Sequence, residues 1–285
     1  MKKALFLYSE LTGVSCRKGR IPKAIERLGK VFDLTVCKTS SLEELKEKAS
    51  SACSVFDALI VVGGDGTFHQ VINAVADAEN KPVLGFLNAG TMGDVAANFG
   101  SSHSFWEGVR IIENGCTSPL DLCKANDVYF AYMAAVGAYS DIAYIAKREK
   151  KKAFGKLAYY ALASKEAFKE QTVRLKLEAG GESIDYEGPF LMLLNGRRVG
   201  GFYVNKKGDA GDGIFEVYRT PKGVFNGLLR YLSPKKDWAS GLSELRIVPP
   251  EELTWCLDGE KYVFGTIDIK ICQSKITVFS KGGKR

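Results

Sequence analysis

The sequence predicts an α/β chain in two parts: a parallel sheet flanked by helices, then a half dominated by antiparallel strands. Three observations lead there. Up to about residue 115, short apolar runs alternate with helical patterns, as in a parallel sheet covered on both faces. After Asp121 one strand pattern follows another, many bounded by Gly, Pro, Asn or Asp, as in antiparallel sheets. Two glycine-rich turns directly follow apolar strands, the place where ligands of open α/β sheets bind. At 285 residues the chain has the length of one large or two moderate domains.

Each element can be justified in order. Ala4–Tyr8 is a strand, and Ile21–Val31 a helix with Ile21, Ala24, Ile25 and Leu28 on one face. Leu34–Cys37 is a strand, Leu42–Ala49 a polar helix and Asp57–Val62 an apolar strand. A glycine turn, a helix from about Phe68 to Ala76 and a strand Val83–Phe86 come next. The second glycine turn, Asn88–Gly93, leads to a short helix ending near Asn98-Phe99-Gly100. Phe105–Asn114 is helical and Gly115 stops it. The second half reads as strands at Val128–Ala135, Arg174–Ala179, Phe190–Leu194 and Ile214–Arg219. Glu244–Val248, Leu253–Leu257, Ile267–Cys272 and Ile276–Ser280 continue the series, and one long helix, about Asp141 to Glu170, interrupts it. The tail Lys281–Arg285 reads as loose.

Composition narrows the function. Hydrophobic residues are 46% and charged residues 26%, which excludes a mostly disordered chain. No apolar run approaches the roughly 18 residues of a membrane-spanning helix. Met1-Lys2-Lys3 and Ala4–Tyr8 imitate a leader, but Ser9-Glu10 ends the apolar stretch early and it reads as a first strand. Cys16, Cys37, Cys53, Cys116, Cys123, Cys256 and Cys272 contain no C-x-x-C pair, so free thiols in a reducing cytoplasm are expected. With His69 and His103 the only histidines, a His-based zinc site or Ser–His triad is not expected. The net charge of +7 falls entirely in residues 126–285, much of it between Lys147 and Lys156. No basic stripe interleaves with aromatics, so nucleic acid is not an expected partner.

The strongest local signal is Gly63-Gly64-Asp65-Gly66-Thr67 between a strand and a helix. Glycines let the backbone turn tightly and approach a phosphate, and a helix start offers unpaired N–H groups. An Asp in that turn makes sense if a cation intervenes or if it binds ribose or amide groups. The pattern is neither G-x-G-x-x-G nor a P-loop. Asn88-Ala89-Gly90-Thr91-Met92-Gly93-Asp94 repeats the arrangement, with Asp94 also readable as a helix cap.

With Asp121, Gly200-Gly201-Phe202, Asp212-Gly213 and Asp258-Gly259-Glu260 added in order, the chain resembles the diacylglycerol kinase catalytic domain family, in particular bacterial soluble lipid kinases. The resemblance implies an α/β nucleotide-binding domain with a parallel sheet and an antiparallel β-sandwich domain that takes lipid. Boundaries are expected at 1–125 and 126–275, with the tail 276–285 returning to the first domain. It implies ATP phosphates at Gly63, Gly64, Asp65, Gly66, Thr67 and Thr91, with Ser9, Gly13 and Thr39 completing the pocket. Asp65, Asp94 and Asp121 would form an acidic network around catalytic Mg²⁺, partly through water. Glu260 and Asp258 would face the lipid hydroxyl; Glu260 is favoured as proton acceptor and Asp258 is the alternative. Their i, i+2 spacing on an extended segment would aim both the same way. Asp209, Asp212 and Ile214 match a structural Mg²⁺ loop of the family, and an ordinary Asp-Gly turn accounts for them equally.

The implied reaction passes the γ-phosphoryl group of ATP to a lipid hydroxyl, most simply diacylglycerol to phosphatidic acid, a step of phospholipid metabolism. Departures from the family pattern fall at His69-Gln70, Gly93 and Ser9-Glu10-Leu11-Thr12-Gly13, around the nucleotide contacts. Two alternatives stand beside this reading. One is an NAD kinase-like enzyme, which shares Gly-Gly-Asp-Gly-Thr but typically adds an Asn-Glu pair absent here. The other is a non-catalytic nucleotide or lipid sensor. The long helix carries Phe154, Leu157, Ala158, Ala161, Leu162 and Phe168 on one face and Lys147, Arg148, Lys150, Lys151, Lys152 and Lys156 near its start. The basic cluster is read either as solvated or as touching an anionic membrane, which makes the protein cytoplasmic and peripherally membrane-associated. The partner set also includes a homodimer.

Overall fold

The computed structural model describes residues 1–9, 19–90, 92–137, 172–220 and 240–282. Gly13, Thr91, the long helix and the Lys147–Lys156 cluster lie outside the described residues. By internal contacts the chain divides into Met1–Leu122 with Gln273–Arg285, and Cys123–Cys272. The first unit opens with β1 (Lys2–Ser9), α1 (Ile21–Leu28), β2 (Phe32–Thr39), α2 (Leu42–Ser51) and β3 (Ala58–Gly63). It continues with α3 (Asp65–Val75), β4 (Val83–Asn88), α4 (Asp94–Asn98), α5 (Phe105–Asn114) and the start of β5 (Thr117–Ala125). The second unit holds β6 (Val128–Phe130), β7 (Met133–Gly137), β8 (Val173–Ala179), β9 (Glu182–Gly188) and β10 (Phe190–Leu194). It also holds β11 (Arg198–Val199), β12 (Phe202–Tyr203), β13 (Phe215–Thr220) and β14 (Ser240–Leu242). Then come β15 (Glu244–Val248), β16 (Leu253–Leu257), β17 (Glu260–Phe264) and β18 (Ile267–Phe279), whose last residues belong to the first unit.

In the first unit β2, β1, β3 and β4 pair in parallel in that order, and Val278 of β18 joins β4 at Leu84. Side chains alternate across a strand, so a sheet with helices on both faces needs continuous apolar strands. Ala58–Gly63 is buried throughout. On one face Phe6, Ile60, Val62 and Leu87 pack with Ile21, Ala24 and Leu28 of α1 and Phe105, Val109 and Ile112 of α5. On the other, the Phe68 ring of α3 lies 4.5 Å from that of Phe86. Local signals fix the helix starts: Pro22 stands in the first turn of α1, and Ser41 caps α2 by accepting the Glu44 N–H at 3.1 Å.

After Phe279 the chain is tied back: Ser280 N donates to Cys116 O at 2.9 Å, and the Lys281 ammonium reaches Glu107. Lys281 first, then the Ser102 hydroxyl, holds the Glu107 carboxyl below the usual range. A depressed carboxyl contributes stability that is present above its unfolded value, roughly 4.3, and lost as pH falls through the folded one. Both partners are partly exposed, so the contribution is about 0.5 kcal/mol. Urea midpoints of wild type and Glu107→Gln should therefore differ at pH 7 and converge in acid.

The second unit is a sandwich, in line with the fold class read from the sequence. One sheet runs β14-β13-β10-β7-β16-β17, antiparallel throughout. Facing it, β15 pairs antiparallel with β8 and with the amino end of β18, and β8 with β9. Val136, Leu191, Leu193, Val217 and Trp255 from the first sheet share a core with Leu175, Leu177, Leu245, Ile247 and Ile269 from the second. Two strand expectations need correction. Val128–Ala135 is two strands, because the chain leaves the ladder at Ala131-Tyr132 and turns those N–H groups to Asp258. Ile267–Cys272 and Ile276–Ser280 are one strand, interrupted by left-handed Ser274 at φ 49°. Cys37, Cys53, Cys116, Cys123, Cys256 and Cys272 are all free thiols. Among the described residues no helix is long and apolar enough to cross a membrane.

Candidate functional site

The two glycine turns are one built object. Gly63 ends β3 opposite Asn88 at the end of β4. The helix α3 starts at Asp65, three residues earlier than its sequence pattern predicts, with extended Gly64 before it. Ala89 N donates to Gly63 O at 2.7 Å. A Cβ on Gly90 would sit 2.8 Å from Gly64 Cα, and one on Gly63 would sit 2.4 Å from Thr67 Cβ. Glycine is thus required here because two backbones touch. Asn88 completes the second turn: its Oδ1 accepts from Gly90 N at 2.9 Å and its Nδ2 donates to His103 O at 3.0 Å. Gly93 adopts the left-handed conformation (φ 65°) that starts α4.

Asp65 fastens the first turn to the second. Its Oδ2 accepts the Gly93 N–H at 3.1 Å and its Oδ1 the Val95 N–H at 2.9 Å. Those donors lie at the start of α4, so the carboxylate satisfies amide groups that a helix end leaves unmet. Asp94 is buried in the first turn of α4, and Asp121 is buried on β5 with its Oδ1 accepting Ser274 N at 2.7 Å. Among the described residues no three His, Cys, Asp or Glu side chains gather to hold a metal ion. Of the three acids expected around the metal, Asp65 and Asp121 also receive backbone amides. Asp209 and Asp212 likewise accept from Gly211 N and Ile214 N two residues on, the geometry of ordinary Asp turns, with Ile214 half-buried.

Ser9 and Thr39 lie opposite each other at the ends of β1 and β2, both buried. With Gly63 and Asn88 they line the carboxyl edge of the parallel sheet. Gly66 and Thr67 lie in the first turn of α3, where Thr67 N donates to Gly64 O at 2.9 Å. His69, one of the family departures, is fully buried in α3 beside Asn73, which donates to its backbone carbonyl at 2.9 Å. Sequence reading missed a cavity of about 270 Å³ beside the second turn, lined by Arg20, Asn88, Gly90, His103, Phe105 and Trp106. The run His103-Ser104-Phe105-Trp106 at a helix start was the available signal.

In the second unit, Asp258-Gly259 is a two-residue hairpin between β16 and β17, with Leu257 opposite Glu260 and positive φ at both turn residues. Asp-Gly suits the primed turns that join twisted strands. The segment is therefore a tight turn and not an extended one. Asp258 is 2% exposed and accepts N–H groups from Ala131 (2.6 Å), Tyr132 (3.0 Å) and Met133 (3.2 Å). That makes it a latch for the hairpin. Asn195, also missed, braces the same segment by donating to Ala131 O at 2.9 Å. Glu260 stands half-buried at the head of β17. Burial, then the charges of Glu260 and Asp258, pushes the Tyr262 phenol up to about 12, so it stays a neutral hydroxyl near neutral pH.

Residues 3–125 match the family model of the diacylglycerol kinase catalytic domain. A diacylglycerol kinase of Bacillus subtilis (strain 168) is 25% identical over 224 residues, covering 76% of this chain and 73% of the relative. One from Staphylococcus aureus (strain JH9) is 27% identical over 203 residues, covering 70% and 64%. Two crystal structures of Bacillus anthracis str. Sterne proteins, one described as a diacylglycerol kinase, superpose with TM-scores of 0.84 and 0.81. They are 23% and 22% identical, and the match covers 98% of this chain and 95% and 97% of theirs. At those identities the likeness is of fold.

Proposed function

We propose, from the match of residues 3–125 to the family model of the diacylglycerol kinase catalytic domain, that the protein is a lipid kinase moving the γ-phosphoryl group of ATP to the hydroxyl of diacylglycerol. The observation that carries this reading is the pair of glycine turns whose backbones touch at the carboxyl edge of the sheet, clamped by Asp65. Bare backbone at strand ends, next to a helix start, suits phosphate oxygens. We assign ATP to the first unit, with Ser9, Gly13, Thr39, Gly63–Thr67 and Thr91 around it, and the lipid to the second. Phosphoryl transfer needs mainly positioning and neutralised charge, so a fixed cradle is the main requirement.

Mg²⁺ would enter with ATP, since that ion keeps waters and takes few carboxylates besides phosphate oxygens. Asp94, with Asp65 and Asp121 through water, is the set we assign to it, and its chemistry would be to neutralise phosphate charge. Glu260 accepts the proton of the lipid hydroxyl. Asp258, spent on backbone amides, holds the hairpin that presents Glu260.

An assay with radiolabelled ATP and Mg²⁺, offering diacylglycerol in mixed micelles and NAD in parallel, tests the reading. Labelled phosphatidic acid is expected. Label in NADP alone, or none in any product, would replace it with the NAD kinase-like or the sensor reading. Gly90→Ala should weaken ATP binding by at least about tenfold, because the added methyl pushes the two turns apart, and the change should fall on KM for ATP before kcat.

A further inference from the structure

We infer that the β11–β12 hairpin is a membrane-inserting blade, which seats Phe202 and Tyr203 in the interfacial layer of a bilayer with Lys206 and Lys207 at the headgroups. The inference rests on the lipid kinase reading for its partner and on the hairpin's own geometry for its place.

The turn is Gly200-Gly201, both at positive φ, so two-residue strands reverse sharply: Arg198 pairs with Tyr203 and Val199 with Phe202. Its base is built in. Val199 is 3% and Asn205 5% exposed, and Val204 N and Asn205 N both donate to Arg197 O. Arg197 Nε donates in turn to Gly208 O. On this fixed base Phe202 is 42% and Tyr203 66% exposed. Single exposed apolar residues need no explanation, but two adjacent rings at a rigid tip do.

The direction of the rings selects the partner. Neighbours on a strand point to opposite faces, so the blade shows one ring on each side. A protein surface docked on one face would leave the other ring wet. A bilayer surrounds both, and aromatic rings are favoured at the membrane–water boundary. The Arg198 guanidinium stands 5.9 Å from the centre of the Tyr203 ring, across the two strands of the hairpin. From Arg197 to Asp212 four basic residues face two acidic ones. Asp209 and Asp212 turn an oxygen onto their own backbone, while Lys206 and Lys207 are exposed. Basic residues near anionic lipid add attraction that salt weakens.

The test is flotation of the full chain, without ATP, on phosphatidylcholine vesicles with and without phosphatidylglycerol. Phe202→Ser/Tyr203→Ser should lower binding to both by about tenfold. Lys206→Glu/Lys207→Glu should lower binding only to the anionic vesicles, also by about tenfold, and flatten the salt dependence. Melting should be unchanged; if the double serine variant does not fold, Tyr203→Ser alone carries the test at the more exposed ring. Vesicle binding equal to wild type in folded variants overturns the inference. So does an equal loss of turnover on a water-soluble short-chain diacylglycerol, which would place the rings in the substrate site. A wild type that binds vesicles but phosphorylates no lipid would overturn the kinase reading and leave the blade standing.

Discussion

Replacing Asp258 by alanine should destabilise the protein by about 3–5 kcal/mol. The carboxylate is buried and receives the N–H groups of Ala131, Tyr132 and Met133. Without it those buried donors lose their acceptor, and an unmet buried donor costs about 1–3 kcal/mol. Alanine would also have to hold φ 50°, a conformation Asp and Asn tolerate better. Asp258→Asn keeps one carbonyl oxygen and the backbone preference, so it should lose about half as much. Urea unfolding of the three proteins checks the order. A midpoint for Asp258→Ala equal to wild type would show that the three donors find water instead and that the hairpin needs no latch.

Glu260→Gln should lower lipid-dependent turnover by about 10²–10⁴-fold while the unfolding midpoint stays near wild type. The change is isosteric and removes the ability to take a proton. Glu260 is half-buried at the head of a strand whose register follows the Asp258 turn, and glutamine keeps its size and its place in that ladder. ATP binding should be unchanged. If Glu260→Gln keeps full turnover and Asp258→Asn loses it without unfolding, the proton acceptor is Asp258 and its latch role is secondary. Glu260 and Asp258 both hold the Tyr262 phenol up, so Glu260→Gln should also shift the phenolate absorbance titration of Tyr262 downward.

Much of the fold was legible because its signals are local. Ala58–Val62 is apolar at every position since both faces are covered, and Ser41 with Glu44 marks a helix start by chemistry contained in four residues. The strand-to-helix turn at Gly63-Gly64 was legible for the same reason, while Asp65–Thr67 proved to be the first turn of α3. What was not legible depends on partners distant in sequence. Asp65 serves amides about thirty residues away, and Asp258 serves amides over 120 residues away. Nothing near either Asp distinguishes a metal ligand from a backbone acceptor. The split of Val128–Ala135 was hidden likewise, because its cause lies at Asp258. Asn195 was missed because a lone Asn before Gly reads as a turn residue, and only its burial against Ala131 shows what it braces.

The first unit is written in two pieces of chain, and synthesis meets them far apart. Its sheet receives Val278 beside β4, and Asp121 receives the Ser274 amide, only after Cys123–Cys272 has been made. At ribosomal speeds that interval is roughly ten to thirty seconds. During it the intervening sandwich can close on itself, whereas the edge of β4 stands open and Asp121 is untethered. A nascent chain therefore cannot complete its first unit before Val278 has been translated.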